Sequence, residues 1–384
     1  IVMLTGDGLQ STLLVLSRRN LSIIDMNPLE SAYRSLNALP DGIYAGGNGI
    51  MDLTPLSELD GLDGLHLWDN QISYLTPISG LTRLEELNLS NNNISSIAVL
   101  ASLTDLERLE IDNNSISDIS ALSNMDRLIS FRAGANQIID LSPLTVLDRI
   151  EELSLWDNGI IDISALASLD ELRSLELQNN SITSFAALSN LTDLEHLSVG
   201  SNNVGGDIAA LSNLTNLHHL DVNGLELEDL SSIPVENLHH ISFGNNRISD
   251  LTPLAAGTSL HSIDAWDNRI VSLDALAGLN LNSISLGYND IEDISGIATI
   301  GNLEALTVPG NQIEDISAIS NLANLHSLEL HDNDIETLAA LVACPGLNEG
   351  DYLTLWDNPF SCSTQSANLQ ALRDRGIQVN SNCN

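Results

Sequence analysis

Along most of the chain, aliphatic residues recur as Leu-x-x-Leu-x-Leu-x-x-Asn-x-Ile. Leu84, Leu87, Leu89, Asn92 and Ile94 make one copy; Leu172, Leu175, Leu177, Asn180 and Ile182 make another. Fifteen such frames align, with the Asn slot at 48, 70, 92, 114, 136, 158, 180, 202, 225, 246, 268, 289, 311, 333 and 358. The first seven intervals are 22 residues long and the rest run from 21 to 25. Repetition at this period means stacked units, so 384 residues need no single large core.

Each part of the unit has a physical reading. Leu-x-Leu alternates with period two, which predicts a short strand with leucines inward and the x positions outward. Stacked units then pair their strands into one long parallel sheet. The Asn stands where the chain turns inward, and its amide has donors and acceptors for backbone groups left without partners. The return stretch, as in Asp118-Ile-Ser-Ala-Leu, is too short for a full helix and predicts extended chain with single 3₁₀ turns. Because the strand side packs more tightly, the sheet is expected to line the concave face of an arc. Frame 225 has Leu225 in the Asn slot, after the Gly205-Gly206 insertion, and predicts a distorted turn.

Composition narrows the function. The chain carries 52 acidic residues against 13 basic ones, all arginine, for a net charge of −39. Such a surface repels nucleic acid and anionic lipid and attracts basic groups. It also reads as a solubilising coat, or as adaptation to salty surroundings that screen the repulsion. No apolar run is long enough to cross a membrane. Ile1-Val-Met-Leu-Thr is no signal peptide, and the start without Met reads as a processed or excised chain. Cys344, Cys362 and Cys383 all fall in the last 41 residues. Cys362 and Cys383 suit a disulfide stapling a terminal cap, hence an oxidising compartment; zinc competes weakly, and Cys344 is left as a buried thiol.

The pattern resembles the bacterial leucine-rich repeats of internalin type, over residues 39–345. The tail from Cys344 through Trp356-Asp-Asn358-Pro-Phe-Ser-Cys362 to Cys383 resembles the C-terminal caps of secreted bacterial repeat proteins. The resemblance implies a leucine-rich-repeat solenoid with residues 346–384 as cap. It implies protein binding on the concave sheet, no catalysis, and a place outside the cell or at its surface. Residues 1–38 depart from the pattern; Leu14, Leu16, Leu21 and Ile24 point to degenerate units or an N-terminal cap.

Candidate site residues follow from the outward positions. Glu86, Arg108, Glu110, Arg132, Glu152 and Glu176 make an acidic, arginine-dotted first half. The middle is histidine-rich: His218, His239 and His261 share one slot, while His196, His219 and His240 share the next. Three readings stay open for these columns: a Zn or Cu site on His218, His239 and His261, a pH-responsive contact, or plain duplication of the repeat. Trp68, Trp156 and Trp266, with Trp356, stand two residues before an Asn slot and are candidate interface anchors. Their separation of four or five repeats implies that no small ligand touches two of them. Asp52, Asp118, Asp140, Asp162, Asp250, Asp293 and Asp315 recur four residues after the slot. They fit turn formation better than Ca²⁺ binding. No nucleophile elbow, phosphate loop or His-Glu-x-x-His occurs. The partner is therefore expected to be a protein, by charge a basic one. The alternatives are self-association as a filament, adhesin or surface-layer block, and metal binding by the histidines.

Overall fold

The computed structural model describes residues 42–383 and the backbone of two further strands, β1 (Val2–Thr5) and β2 (Thr12–Val15). The chain divides into two compact units, Ile1–Leu194 and Glu195–Asn384. In unit 1, β1 and β2 pair antiparallel, and β2 runs parallel to β3 (Gly42–Tyr44). The parallel ladder continues through β4 (Gly64–His66), β5 (Glu86–Asn88), β6 (Arg108–Glu110), β7 (Ser130–Arg132), β8 (Glu152–Ser154) and β9 (Ser174–Glu176). Unit 2 holds a parallel ladder of β10 (His196–Ser198), β11 (His219–Asp221), β12 (His240–Ser242), β13 (Ser262–Asp264), β14 (Ser283–Ser285), β15 (Ala305–Thr307), β16 (Ser327–Glu329), β17 (Tyr352–Thr354) and β18 (Gln378–Asn380). The reading of Leu16, Leu21 and Ile24 as degenerate repeats lies outside the described residues.

Register follows the repeat. Leu65, Leu87, Leu109, Phe131, Leu153 and Leu175 pair in succession, all buried, so each strand turns its middle side chain into the core. The return side is built from 3₁₀ turns such as Ser120–Asn124 and Ser164–Ser168. Two α-helices lie near the C-terminus, α1 (Ala339–Ala343) and α2 (Ser366–Asp374).

The buried asparagines do the backbone work. Asn92 Nδ2 donates to the carbonyls of Leu67, Leu89 and Ser90, while its Oδ1 accepts from Ile72 N at 2.9 Å. One side chain thus ties its own turn to the preceding repeat. The residue before the slot takes a left-handed conformation, as in Asp69, Asn91, Asn113 and Asp157, which Asn and Asp tolerate better than most residues. At frame 225 the turn is distorted: Gly224 and Glu226 both have positive φ around a buried Leu225. Asn246 Oδ1 there accepts from both Leu225 and Leu227.

All seven aspartates four residues after the slot cap their own turns. The backbone N–H two residues on donates to each carboxylate, at 2.8 Å for Thr54 to Asp52, Ser120 to Asp118, Ser142 to Asp140, Ser164 to Asp162, Thr252 to Asp250 and Ser317 to Asp315, and at 2.7 Å for Ser295 to Asp293. Cys362 and Cys383 form a disulfide with Cα atoms 5.5 Å apart, and Cys344 is a buried free thiol. Arg375 donates to the carbonyls of Val342, Cys344 and Leu347, fastening the segment after α2 to the end of α1 and the loop that follows it.

Candidate binding surface

Period two carries the outward positions onto one face of each sheet. In unit 1 that face holds a groove of about 600 Å³ with Trp68 and Trp156 at its ends. Arg108, Glu110, Arg132 and Glu152 line it, joined by Asn88, Asp112 and Ser130. Trp68 and Trp156, four repeats apart, line the same groove because the intervening slots hold Ser90, Asp112 and Gly134, side chains too short to divide it, and a span of this length suits a long partner rather than a small ligand. Glu86 and Glu176 border the groove through ion pairs. Arg108 Nε lies 3.7 Å from Glu86, and Arg132 reaches Asp112 at 3.7 Å and Glu176 at 3.8 Å. Neutral donors complete the network, with Asn88 Nδ2 to Glu110 at 2.6 Å, Ser130 Oγ to Glu152 at 3.0 Å and Ser154 Oγ to Glu176 at 2.7 Å. Burial raises the carboxyls of Glu110 and Asp112 above their ordinary range, opposed by Arg132.

Each tryptophan owes its pose to the repeat before it. A Cβ at Gly46 would lie 2.2 Å from the Trp68 ring; Gly134 stands likewise under Trp156 and Gly244 under Trp266. Trp356 instead stacks on the His331 ring at 4.0 Å. Trp68 and Trp156 are half-buried while Trp266 is exposed. The pairing was readable as Gly-x-Asn one repeat ahead of Trp-Asp-Asn, a signal that scanning single repeats misses. Sequence reasoning also missed Tyr44 and His66, whose rings stack at 4.0 Å beside Trp68. Burial holds His66 below the usual imidazole range, and Glu86, 3.4 Å away, only partly opposes this.

In unit 2 the histidine columns stand in register, His196 with His219 and His219 with His240. Their rings stack at 4.7 Å and tilt at 6.0 Å; His218 and His239 lie 4.9 Å apart, His239 and His261 5.6 Å. Burial and the neighbouring imidazoles lower the affinity of His219 for a proton. The metal reading of His218, His239 and His261 does not fit this arrangement. Among the described residues no group of three or more His, Cys, Asp or Glu is placed to hold a metal ion.

With the repeat geometry in place, comparison with known proteins is informative. The family model for leucine-rich repeats in paired copies matches residues 60–102, 82–124, 148–191 and 170–213. These stretches carry leucine-rich repeats, and the fold is that of a leucine-rich-repeat solenoid. It is similar to that of an internalin, InlF, of Listeria monocytogenes, at 26% identity and TM-score 0.58, covering 92% of this chain and 89% of that one. An LRR protein of Leptospira interrogans is similar at TM-score 0.72 and 19% identity, covering 91% and 94%. The plant peptide hormone receptor RGFR1, solved in complex with RGF2, is similar at TM-score 0.63 and 21% identity, covering 89% and 69%. No curated sequence matches the chain. None of these leucine-rich-repeat comparisons points to an enzymatic family, and no helix among the described residues is long and apolar enough to cross a membrane.

Proposed function

We propose that this protein is an extracellular, non-catalytic binding module of bacterial origin whose unit 1 sheet face takes an extended polypeptide segment. The observation that carries the reading is the groove between Trp68 and Trp156, with arginine and carboxylate side chains along its floor. Aromatic anchors at the ends and mixed charge between them suit a chain laid across several repeats. Arg108 and Arg132 are paired with carboxylates, so the groove favours a segment carrying both signs of charge over a polyanion. The likeness to an internalin and to a peptide hormone receptor supports a polypeptide partner, and the disulfide supports an oxidising compartment. Residues 346–384, with α2 and the disulfide, are read as the cap closing the last hydrophobic layer.

A displayed library of random dodecapeptides, selected on the intact protein, tests the reading. Selected peptides should bind the Trp68→Ala, Trp156→Ala double variant about tenfold or more weakly, the usual loss when aromatic anchors are truncated. Equal binding to wild type and variant would overturn it. Light scattering at high protein and salt concentration addresses the alternative of a self-assembling surface block, which a strict monomer would contradict.

A further inference from the structure

In the unit 1 groove the two signs of charge are satisfied unequally. Each carboxylate lining it has a donor within hydrogen-bond distance. Asn88 Nδ2 donates to Glu110 at 2.6 Å, Gly134 N to Asp112 at 2.6 Å and Ser130 Oγ to Glu152 at 3.0 Å. The guanidiniums have no such partner. Arg108 lies 3.7 Å from Glu86, and Arg132 lies 3.7 Å from Asp112 and 3.8 Å from Glu176, all beyond hydrogen-bond reach. Other arginines among the described residues are held more closely: Arg127 donates to Asp105 at 2.9 Å and to Glu107 at 3.1 Å, and Arg247 to Glu226 at 2.9 Å.

The order of residues on neighbouring strands is the cause. Arg108 pairs with Ser130 and Glu110 with Arg132, so the two arginines stand diagonally across β6 and β7. Asn88 on the preceding strand takes Glu110, while Ser130 is short, buried and turned to Glu152 on the following strand. Strand spacing and rise put the Cα atoms of Arg108 and Arg132 about 8 Å apart, from where two long side chains reach one group. Both line the groove and are open to solvent, with side chains 52% and 41% exposed. An acceptor from outside therefore meets them without breaking an internal hydrogen bond. The donors say which acceptor. A guanidinium presents its N–H groups in a planar fork that matches the two oxygens of a carboxylate. Three carboxylates line the same groove, so a group with a single negative charge fits where a polyanion is repelled.

We propose that Arg108 and Arg132 together seat one carboxylate of the bound polypeptide, from an acidic side chain or from its C-terminus. The seat rests on the groove being a polypeptide site, as proposed above, and adds the chemical group recognised between Trp68 and Trp156.

Calorimetry on the intact protein tests the seat, with the leading dodecapeptide of the selection above as probe. The peptide is made as selected, with its Asp and Glu changed to Asn and Gln, and with an amidated C-terminus. One of the two altered forms should bind wild type about tenfold more weakly, the loss of a hydrogen-bonded charge pair. Which form it is tells a side-chain carboxylate from a terminal one. The Arg108→Gln, Arg132→Gln double variant should bind the selected peptide about tenfold more weakly and should not distinguish the three forms. Neither arginine makes an internal hydrogen bond, so the double variant should keep the wild-type circular dichroism. Lysine at both positions keeps the charge without the fork and should recover only part of the affinity. Equal affinity of wild type for all three forms would overturn the proposal, as would a loss that persists undiminished in the double variant. A peptide that in those cases still needs Trp68 and Trp156 leaves the groove a polypeptide site, so the two readings fail separately.

Discussion

A tryptophan ring lies flat along a stack of repeats only where the repeat before it offers no side chain. Gly46, Gly134 and Gly244 provide that space for Trp68, Trp156 and Trp266. The pairing makes a sharp prediction. Gly134→Ala places a Cβ 2.2 Å from Trp156 Nε1, so the indole must leave its seat or the backbone must shift. Overpacking of this kind costs about 1–3 kcal/mol. A fall in the urea midpoint and a red shift of tryptophan emission should follow, and adding Trp156→Ala should recover most of the midpoint. A Gly134→Ala protein with unchanged emission and stability would show that the ring is not seated there. The buried asparagines obey the same logic of shared space, since each amide serves carbonyls of two adjacent repeats.

At the scale of an element, the strands and the 3₁₀ turns respond differently to acid. Three histidines, His66, His219 and His331, are held below the usual imidazole range, chiefly by burial. A folded pKa below the unfolded one contributes stability above the unfolded value and loses it as pH falls through about 6.5 toward the folded value. The turn aspartates Asp52, Asp118, Asp140, Asp229 and Asp250 are also lowered, here by hydrogen bonds from the residue two places on. Their contribution is present above about pH 3.9 and disappears below it. Glu110 and Asp112, raised by burial, act in the opposite sense and offset part of the loss between these ranges. Tm measured against pH should therefore fall in two stages, one around pH 6 and a second below about pH 4. A flat profile from pH 7 to 5 would contradict the histidine assignments.

Over the whole molecule, charge and one covalent link dominate. A net charge of −39 opposes compaction, so raising salt from about 0.05 to 0.5 M should raise Tm by screening it. The disulfide closes a separation of 21 residues, and reducing it should cost about 3 kcal/mol on the chain-entropy estimate. Thermal melts with and without reductant measure this, and identical melts would mean that Arg375 and the helix packing hold the segment unaided.

The repeat, its inward leucines, the turn asparagines and the capping aspartates were all determined by the sequence itself. Each depends on contacts within a unit or one unit away, where period and residue type leave a single geometry. The binding surface was only partly legible. Outward positions named Arg108, Glu110, Arg132 and Glu152, but Asp112, Tyr44 and His66 emerged only once neighbouring strands were aligned. That Trp68 and Trp156 border one groove depends on the size of every side chain between them. That Arg108 and Arg132 are left without hydrogen-bond acceptors depends on Asn88 and Ser130 serving Glu110 and Glu152 in their place. Periodicity decides which residues face outward; only the packed structure decides which of those faces remain open, because space and hydrogen-bond partners are shared between repeats.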